Sequence, residues 1–420
     1  MYGRAEMRRE RIDTDQALFA ERVARRGGGQ RRSLRRARAL APHMGVDLDA
    51  WGAHPERVVT VVGSKGKGTA ATFASAALAA AGLRVGTLTS PGLRSNRERI
   101  RVDGRAVPRR DYEALVGEVA AVLARVSDLL PDDGYLSPSG LFTLCALRHF
   151  ADRRCDAVVL EAGMGGAADE VSLVAAGVVV VTPILAEHLG VLGDTVAEVA
   201  GEKAGVISAA TRDVVAAAQG DPGAEAAVLL AARSHGCRWH RVVGDDDRPG
   251  PAPAPGLGGL NARLGVVAAL RLLAMAGRPE PAPEALDASL GSVSLPGRLS
   301  HHRRGEQEWI IDCATNPAAV TAAISHAAAT IGSPTAVLTF IPPHRDPAPL
   351  LATLRGQPLV RVPGGPSAGG PGRGAVMRLE DVDLDTLGPR VLALGPVYFV
   401  GELLATLDVD CERSFRTSQR

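Results

Sequence analysis

Val58-Val59-Thr60-Val61-Val62-Gly63-Ser64-Lys65-Gly66-Lys67-Gly68-Thr69 decides the fold. The first five residues form a β-branched run of buried-strand length, and the glycines that follow end it. Ala70 to Ala81 then reads as an alanine-rich helix and Val85 to Leu88 as the next strand. Strand, glycine loop, helix and strand make a βαβ unit, so a parallel sheet is expected. At such a junction the glycines let backbone N–H groups converge on a phosphate, and the helix N-terminus adds its positive end. Lys67 is placed to reach the β- and γ-phosphates, and Thr69 to offer its hydroxyl to Mg²⁺. The spacing is not G-x-x-x-x-G-K-[ST], because Gly68 separates Lys67 from Thr69, and a plain glycine-rich turn is the bland alternative. The flanking strand and helix favour nucleotide binding by Gly63, Ser64, Lys65, Gly66, Lys67, Gly68 and Thr69.

Composition sharpens that reading. Of 48 basic residues only Lys65, Lys67 and Lys203 are lysines, and every other cation is an arginine. A lysine offers a compact amine that can lose its proton, which an arginine does not. Two of the three fall inside the glycine loop, which argues against chance.

The other totals exclude several classes. The chain has 420 residues, 46% hydrophobic and 22% charged, with 3% aromatic residues and a formal charge of +2. This is the balance of a globular protein of two domains whose core is built from Ala, Val and Leu. No global charge draws it to nucleic acid or an anionic membrane. Arg31, Arg32, Arg35, Arg36 and Arg38 have no aromatics between them and read as a solvated helix face. Cys145, Cys155, Cys237, Cys313 and Cys411 show no metal-ligand spacing and an odd count, which fits a reducing cytoplasm. Met1 to Arg38 is charged throughout, so no signal peptide is expected. The apolar run Val174 to Ala186 contains Pro183 and is about half a membrane span, so no membrane partner is expected either.

Residues 1 to about 56 read as helical and polar. After the βαβ unit, Leu141 to Phe150 looks helical, and Ala157 to Leu160 and Val178 to Thr182 look like buried strands. Arg248 to Gly259 and Pro363 to Gly374 read as low-complexity surface loops. A second βα series begins after Leu295-Pro296-Gly297-Arg298. It has strand Trp309 to Ile311, helix Ala318 to Ala329, and strands Thr335 to Phe340, Leu359 to Val362 and Val391 to Leu394. The expected fold is α/β: a parallel-sheet ATP-binding domain over 1–294, then a smaller Rossmann-like α/β domain over 295–420. No internal repeat is evident.

Further chemistry clusters behind these strands. Glu161 follows Ala157-Val158-Val159-Leu160 directly and so emerges at the C-terminal end of a strand, the edge on which the phosphate loop lies. A carboxylate there suits a hard cation bridging phosphates, against the alternative of a strand-end capping acid. Gly163-Met164-Gly165-Gly166 permits close approach of a ligand. His188 and Lys203 are ambiguous by themselves: a lone histidine is more often structural, and a lysine in Glu202-Lys203-Ala204-Gly205 can be only a helix-end cation.

The ordered motifs resemble the folylpolyglutamate synthase family of Mur-type ligases. They are Thr60 to Thr69, Thr89-Ser90-Pro91-Gly92-Leu93 with Glu98-Arg99-Ile100, Val159 to Gly166, and Glu202-Lys203-Ala204-Gly205-Val206. Leu295-Pro296-Gly297-Arg298, Asp312-Cys313-Ala314-Thr315-Asn316-Pro317 and Gly395-Pro396-Val397-Tyr398 carry the match to the end of the chain. The resemblance implies a Mur-ligase-like fold and an ATP-dependent ligase. Such a ligase joins a small-molecule acid to an amine, an amino acid, through an acyl phosphate, releasing ADP and phosphate. Carried over by position, it implies Mg²⁺ at two sites, one held by Ser90 and Glu161 with Thr69, the other by Glu161 and His188. It also implies a carbamylated Lys203 supporting the second ion, and Asn261, Arg298 and Asp312 holding ATP. Lys67, Glu161, His188 and Lys203 are the expected catalytic set, in a monomeric cytoplasmic enzyme.

Departures from the family pattern surround this set. A histidine of the family is Thr315 here, another is Gly92, and a Phe-Glu pair is Ser139-Gly140. The stretch Gly-Gly-Arg-x-Asp-x-Thr-Asn reads Gly165-Gly166-Ala167-Ala168-Asp169-Glu170-Val171-Ser172, and Leu257-Gly258 replaces a His-Gln pair before Asn261. The expected reading is therefore a kept ATP engine with a changed, non-folate acid. A genuine folylpolyglutamate or dihydrofolate synthase is the alternative. A catalytically inactive nucleotide-binding relative is the reading from another class.

Overall fold

The computed structural model describes residues 15–16, 18–23, 31–243, 257–343, 345–365 and 376–417. The chain forms two compact units, Met1–Val293 with Glu412–Arg420, and Ser294–Cys411.

The first unit contains α1 (Leu34–Leu40), β1 (Val58–Val62), α2 (Lys67–Ala80), β2 (Val85–Leu88), β3 (Ile100–Val102), β4 (Arg105–Ala106), α3 (Arg109–Val126) and α4 (Pro138–Asp152). It continues with β5 (Ala157–Glu161), β6 (Val178–Val181), α5 (Val196–Ala204), β7 (Asp213–Ala217), α6 (Pro222–Ser234), β8 (Arg238–Val242), α7 (Leu257–Met275) and α8 (Pro283–Gly291). The strands make one sheet in the order β4-β3-β2-β5-β1-β6-β7-β8. From β2 to β8 along the sheet every pairing is parallel, and the β2–β3 and β3–β4 pairings are antiparallel. β1 sits between β5 and β6 with all five residues buried, which is why it reads as an uninterrupted Val-rich run rather than an alternating one.

Helix α2 covers the sheet, and α7 lies on α2. Alanines let the two approach so closely that a Cβ on Gly265 would overlap the Ala70 carbonyl. The stretch Gly258–Met275 has the length and mean hydropathy, 1.3, of a membrane span. Its Ala262, Leu264, Ala268, Ala269, Leu272 and Leu273 are buried in this unit. The loop expected over Arg248 to Gly259 is corrected at its end. Leu257 to Gly259 begin α7, because a helix's first turn lacks intrahelical N–H bonds and tolerates glycine there. Residues 248–256 lie outside the described residues, as do 1–14, 17 and 24–30 of the expected polar helical region.

Within the second unit, β9 (Ser300–Arg304), β10 (Gln307–Asp312), α9 (Pro317–Ile331), β11 (Ala336–Thr339), β12 (Leu359–Arg361), β13 (Arg390–Leu394) and α10 (Val397–Thr406) follow in turn. The sheet order is β12-β11-β13-β10-β9, parallel except for β9. Its core gathers Ile310, Val320, Ala323, Val337 and Leu392 between sheet and helix. Of the expected loop Pro363 to Gly374, Gly364–Gly365 pairs as a short strand with Val376–Met377, and 366–374 lie outside the described residues. Residues 412–417 differ from the expected division. They return to the first unit, where the Glu412 carbonyl accepts the Ala106 N–H and the Ser414 N–H reaches the Gly104 carbonyl.

Candidate functional site

The phosphate loop lies at the C-terminal end of β1 and its last residues are already helix, α2 starting at Lys67. Gly66 takes φ +83°, and a Cβ there would also overlap the Asn261 side chain, so both backbone and space require glycine. Ser64 fastens the loop to the segment after β6: its N–H donates to the Pro183 carbonyl and its Oγ accepts from Leu185, each at 3.0 Å. Lys65 pairs with Glu187 at 2.7 Å. Thr69 is half-buried in the first turn of α2.

Two lysines converge on one carbonyl. Lys67 Nζ donates to the Gly63 oxygen at 3.1 Å, and Lys203 Nζ donates to the same oxygen at 3.0 Å. Lys203 is 2% exposed and comes from the end of α5. Burial, and then the charge of Lys67, lower its pKa to about 8. Burial also lowers that of Lys67, with Glu161 opposing and Lys65 reinforcing the shift. These amines therefore lose a proton far more readily than ordinary lysines.

Glu161 closes β5 and lies beside the loop, its Oε2 3.4 Å from where a Cβ on Gly68 would stand. The same oxygen accepts the Ser90 N–H at 2.8 Å. Ser90 Oγ accepts from Arg99 Nη1 at 2.9 Å, and the Arg99 guanidinium stacks 4.5 Å over Phe142. His188 is largely exposed, at φ +59°, and partial desolvation, then the charges of Lys203 and Lys67, lower its pKa against the pull of Glu187. No group of three or more His, Cys, Asp or Glu side chains placed to hold a metal occurs among the described residues. The oxygen donors present, the Glu161 carboxylate and the Ser90 and Thr69 hydroxyls, are of the kind Mg²⁺ takes, with its remaining oxygens coming from phosphates and water.

The first unit thus brings together Gly63 to Thr69, Ser90, Glu161, Lys203 and Asn261, with His188 electrostatically linked to the lysines. Arg298 and Asp312 belong to the second unit. There Asp312 Oδ2 accepts the Leu299 N–H at 2.8 Å, and burial raises its pKa against the pull of Arg298. Sequence reasoning missed Arg99, Asp169 and Glu202. Asp169 Oδ2 accepts from Gly163 and Met164, and Glu202 Oε1 from Gly166 and Ala168. Glu202 stands next to Lys203 in sequence, a signal that was available. A separate cleft of about 850 Å³ among Trp51, Arg57, Phe150 and Leu272 contains none of these residues.

Two departures have a local explanation. Gly92 leaves no room for a side chain, since a Cβ would overlap the Ser95 carbonyl. Gly140 faces the Glu170 carboxyl, which fills the space a side chain would occupy.

No family model matches the chain. It is 33% identical over 300 residues to a probable bifunctional folylpolyglutamate synthase/dihydropteroate synthase of Haloferax volcanii, covering 66% of this chain and 33% of that protein. It is 35% identical over 172 residues to the dihydrofolate synthase/folylpolyglutamate synthase of Bacillus subtilis, covering 40% and 39%. The chain therefore spans about a third to two fifths of the length of these curated relatives. In structure it is similar to an L. casei FPGS–AMPPCP complex, with TM-score 0.73, 24% identity and coverage of 93% and 99%. It is also similar to E. coli FolC in complex with DHPP and ADP, with TM-score 0.70, 26% identity and coverage of 90% and 94%. Fold and loop define a P-loop α/β protein of Mur-ligase type. In sequence and in fold the chain is similar to folylpolyglutamate synthases.

Proposed function

We propose that the protein is an ATP-dependent carboxylate–amine ligase that adds glutamate to a pteroate- or folate-type acid. The observation that carries this reading is the half-buried Lys67 and the buried Lys203 together on the Gly63 carbonyl, beside Glu161 at the end of β5. The relatives, called dihydrofolate synthase and folylpolyglutamate synthase, favour a folate-type acid over the non-folate acid expected from the altered motifs. The retained lysines and Glu161 speak against an inactive relative.

In this proposal the loop N–H groups and Lys67 bind the β- and γ-phosphates. The γ-phosphoryl group passes to the acid's carboxylate, breaking its bond to ADP and forming an acyl phosphate. The amine nitrogen then attacks the acyl carbon, loses its proton, and phosphate leaves as the amide forms. A positioned cation at the migrating charge is the chain's main contribution. Ser90, Thr69 and Glu161 would hold one Mg²⁺, and Glu161, His188 and carbamylated Lys203 a second, the ions neutralising phosphate charge. Asn261, Arg298 and Asp312 are assigned to ATP, and the site of action is the cytoplasm.

A different acid remains the second reading, favoured by the filled space at Gly140 and the missing side chain at Gly92. The test incubates the protein with ATP, Mg²⁺, glutamate and either dihydropteroate or tetrahydrofolate, with mass spectrometry of the adduct. Glutamylated product with ADP and phosphate supports the proposal. Adducts only with other acids favour the second reading, and AMP with pyrophosphate would overturn the acyl-phosphate chemistry.

A further inference from the structure

The glycine loop after β5 is strapped on two sides. Glu202 Oε1 accepts from Gly166 at 3.3 Å and Ala168 at 2.9 Å, and Gly166 lies so close to the Lys203 carbonyl that a Cβ would overlap it. On the other side Asp169 Oδ2 accepts from Gly163 at 3.0 Å and Met164 at 3.2 Å. That second strap is itself held from far along the chain. Arg32 Nη1 donates to Asp169 Oδ2 at 3.1 Å, while Nη2 donates to Ser139 Oγ at 3.2 Å and pairs with Glu170. Asp169 and Glu170 are 1% and 0% exposed, so two adjacent carboxylates are buried with this guanidinium between them. Ser137 Oγ adds a hydrogen bond to Glu170 at 2.9 Å. Hydrogen bonds from the Ser33 N–H to the Tyr135 carbonyl and from the Tyr135 N–H to the Arg31 carbonyl fix the backbone on either side of Arg32.

We propose that Arg32 is a positioning residue for the ligase reaction: through Asp169 and Glu170 it fixes the 163–166 loop against Lys203. The inference rests on the proposed function for its catalytic consequence, though not for its structural one. A buried carboxylate without a counter-charge is costly, and here two neighbours in sequence share one cation. The planar fork of arginine reaches both acids and the serine hydroxyl together, whereas an ammonium cannot span them. Removing Arg32 leaves two buried anions side by side, and the cheapest relief is to open the loop to water. The loop's opening would move the Lys203 backbone that Gly166 touches, and small misplacements of reacting groups are expensive.

Amide hydrogen exchange of the full chain, without substrate, tests the structural step. In Arg32→Ala the Gly163 and Met164 amides should exchange at least about 10-fold faster, with the central strands unchanged. With a productive substrate pair, kcat should fall about 10- to 100-fold while KM for ATP stays within about twofold. Millimolar guanidinium should restore part of that loss, and Arg32→Lys should not. Unchanged exchange at 161–170, a rise spread evenly over the whole chain, or a loss seen only in KM for ATP would each overturn the proposal. Should Arg32→Ala not fold, Ser139→Ala removes one acceptor of the fork and should raise exchange at the same two amides; no rise there overturns it equally. If the wild-type protein turns over none of the acids, the function reading fails while exchange still decides the role of Arg32.

Discussion

At the residue scale the lysines were legible because arginine replaced them everywhere else. Three survivors in an arginine-rich chain mark positions where an amine is needed, and the structure draws two of them onto one carbonyl. Lys67→Ala should lower ATP turnover about 100- to 1000-fold with an unchanged circular dichroism spectrum, the cost of losing one preorganised cation. Undiminished ADP production by the folded variant would remove the phosphate loop from the mechanism. Lys203 carries a finer expectation. A carbamate forms only from the neutral amine, and a pKa of about 8 leaves roughly a tenth of the amines neutral at pH 7. Activity of metal-loaded enzyme at limiting bicarbonate should therefore rise between pH 7 and 8. Lys203→Arg should be inactive, and Lys203→Ala should regain some turnover when a short carboxylic acid is supplied. Full activity in Lys203→Arg would reduce Lys203 to a helix-end cation. Arg32 was not legible: it stands among similar arginines, and its partners lie more than a hundred positions away, at Ser139, Asp169 and Glu170.

At the element scale, continuous valine runs announced β1 and β6 because a parallel strand covered on both faces needs no alternation. The strand β8 was invisible for the opposite reason. Arg238, Trp239, His240 and Arg241 make an edge strand whose side chains show no apolar run, although they pair in register with β7. Gly140 is likewise unreadable from sequence, since glycine inside α4 looks like a simple weakness. Alanine should gain up to about 1 kcal/mol of helix propensity there. Its Cβ would meet the Glu170 carboxyl, which Arg32 and Ser137 hold in place and which cannot swing aside cheaply. Overpacking should win, so Gly140→Ala should lose about 1–3 kcal/mol in urea unfolding. Combining it with Glu170→Ala should relieve the clash, giving a double variant more stable than the two losses added together. Simple additivity would mean that the two sites do not touch in solution.

At the scale of the whole molecule, acid sensitivity follows from histidines that the fold keeps neutral. His149 in α4, His188 after β6 and His302 in β9 all have pKa values below 6.5, burial being the largest cause in each. The sign follows from proton counting. Below about pH 6.5 the unfolded chain binds more protons at these positions than the native chain does, so stability falls as the solution is acidified. Above that value both states are neutral there and the term vanishes. The buried His149 contributes a slope of up to about 1.4 kcal/mol per pH unit within its window, and the exposed His188 much less because water screens it. His149 and His302 belong to different units, and their contributions can be read apart by following each unit's own transition. His149→Gln keeps a polar side chain that cannot take up a proton. Near pH 7.5 it should cost a little stability through imperfect packing. Between pH 6.5 and 5 it should flatten the fall of the first unit while leaving that of the second unchanged. Metal-free urea titrations of wild type and variant at four pH values give the comparison. Parallel pH profiles for wild type and His149→Gln would show that His149 is as easily protonated in the native state as in the unfolded chain, and would remove it from the account of acid lability.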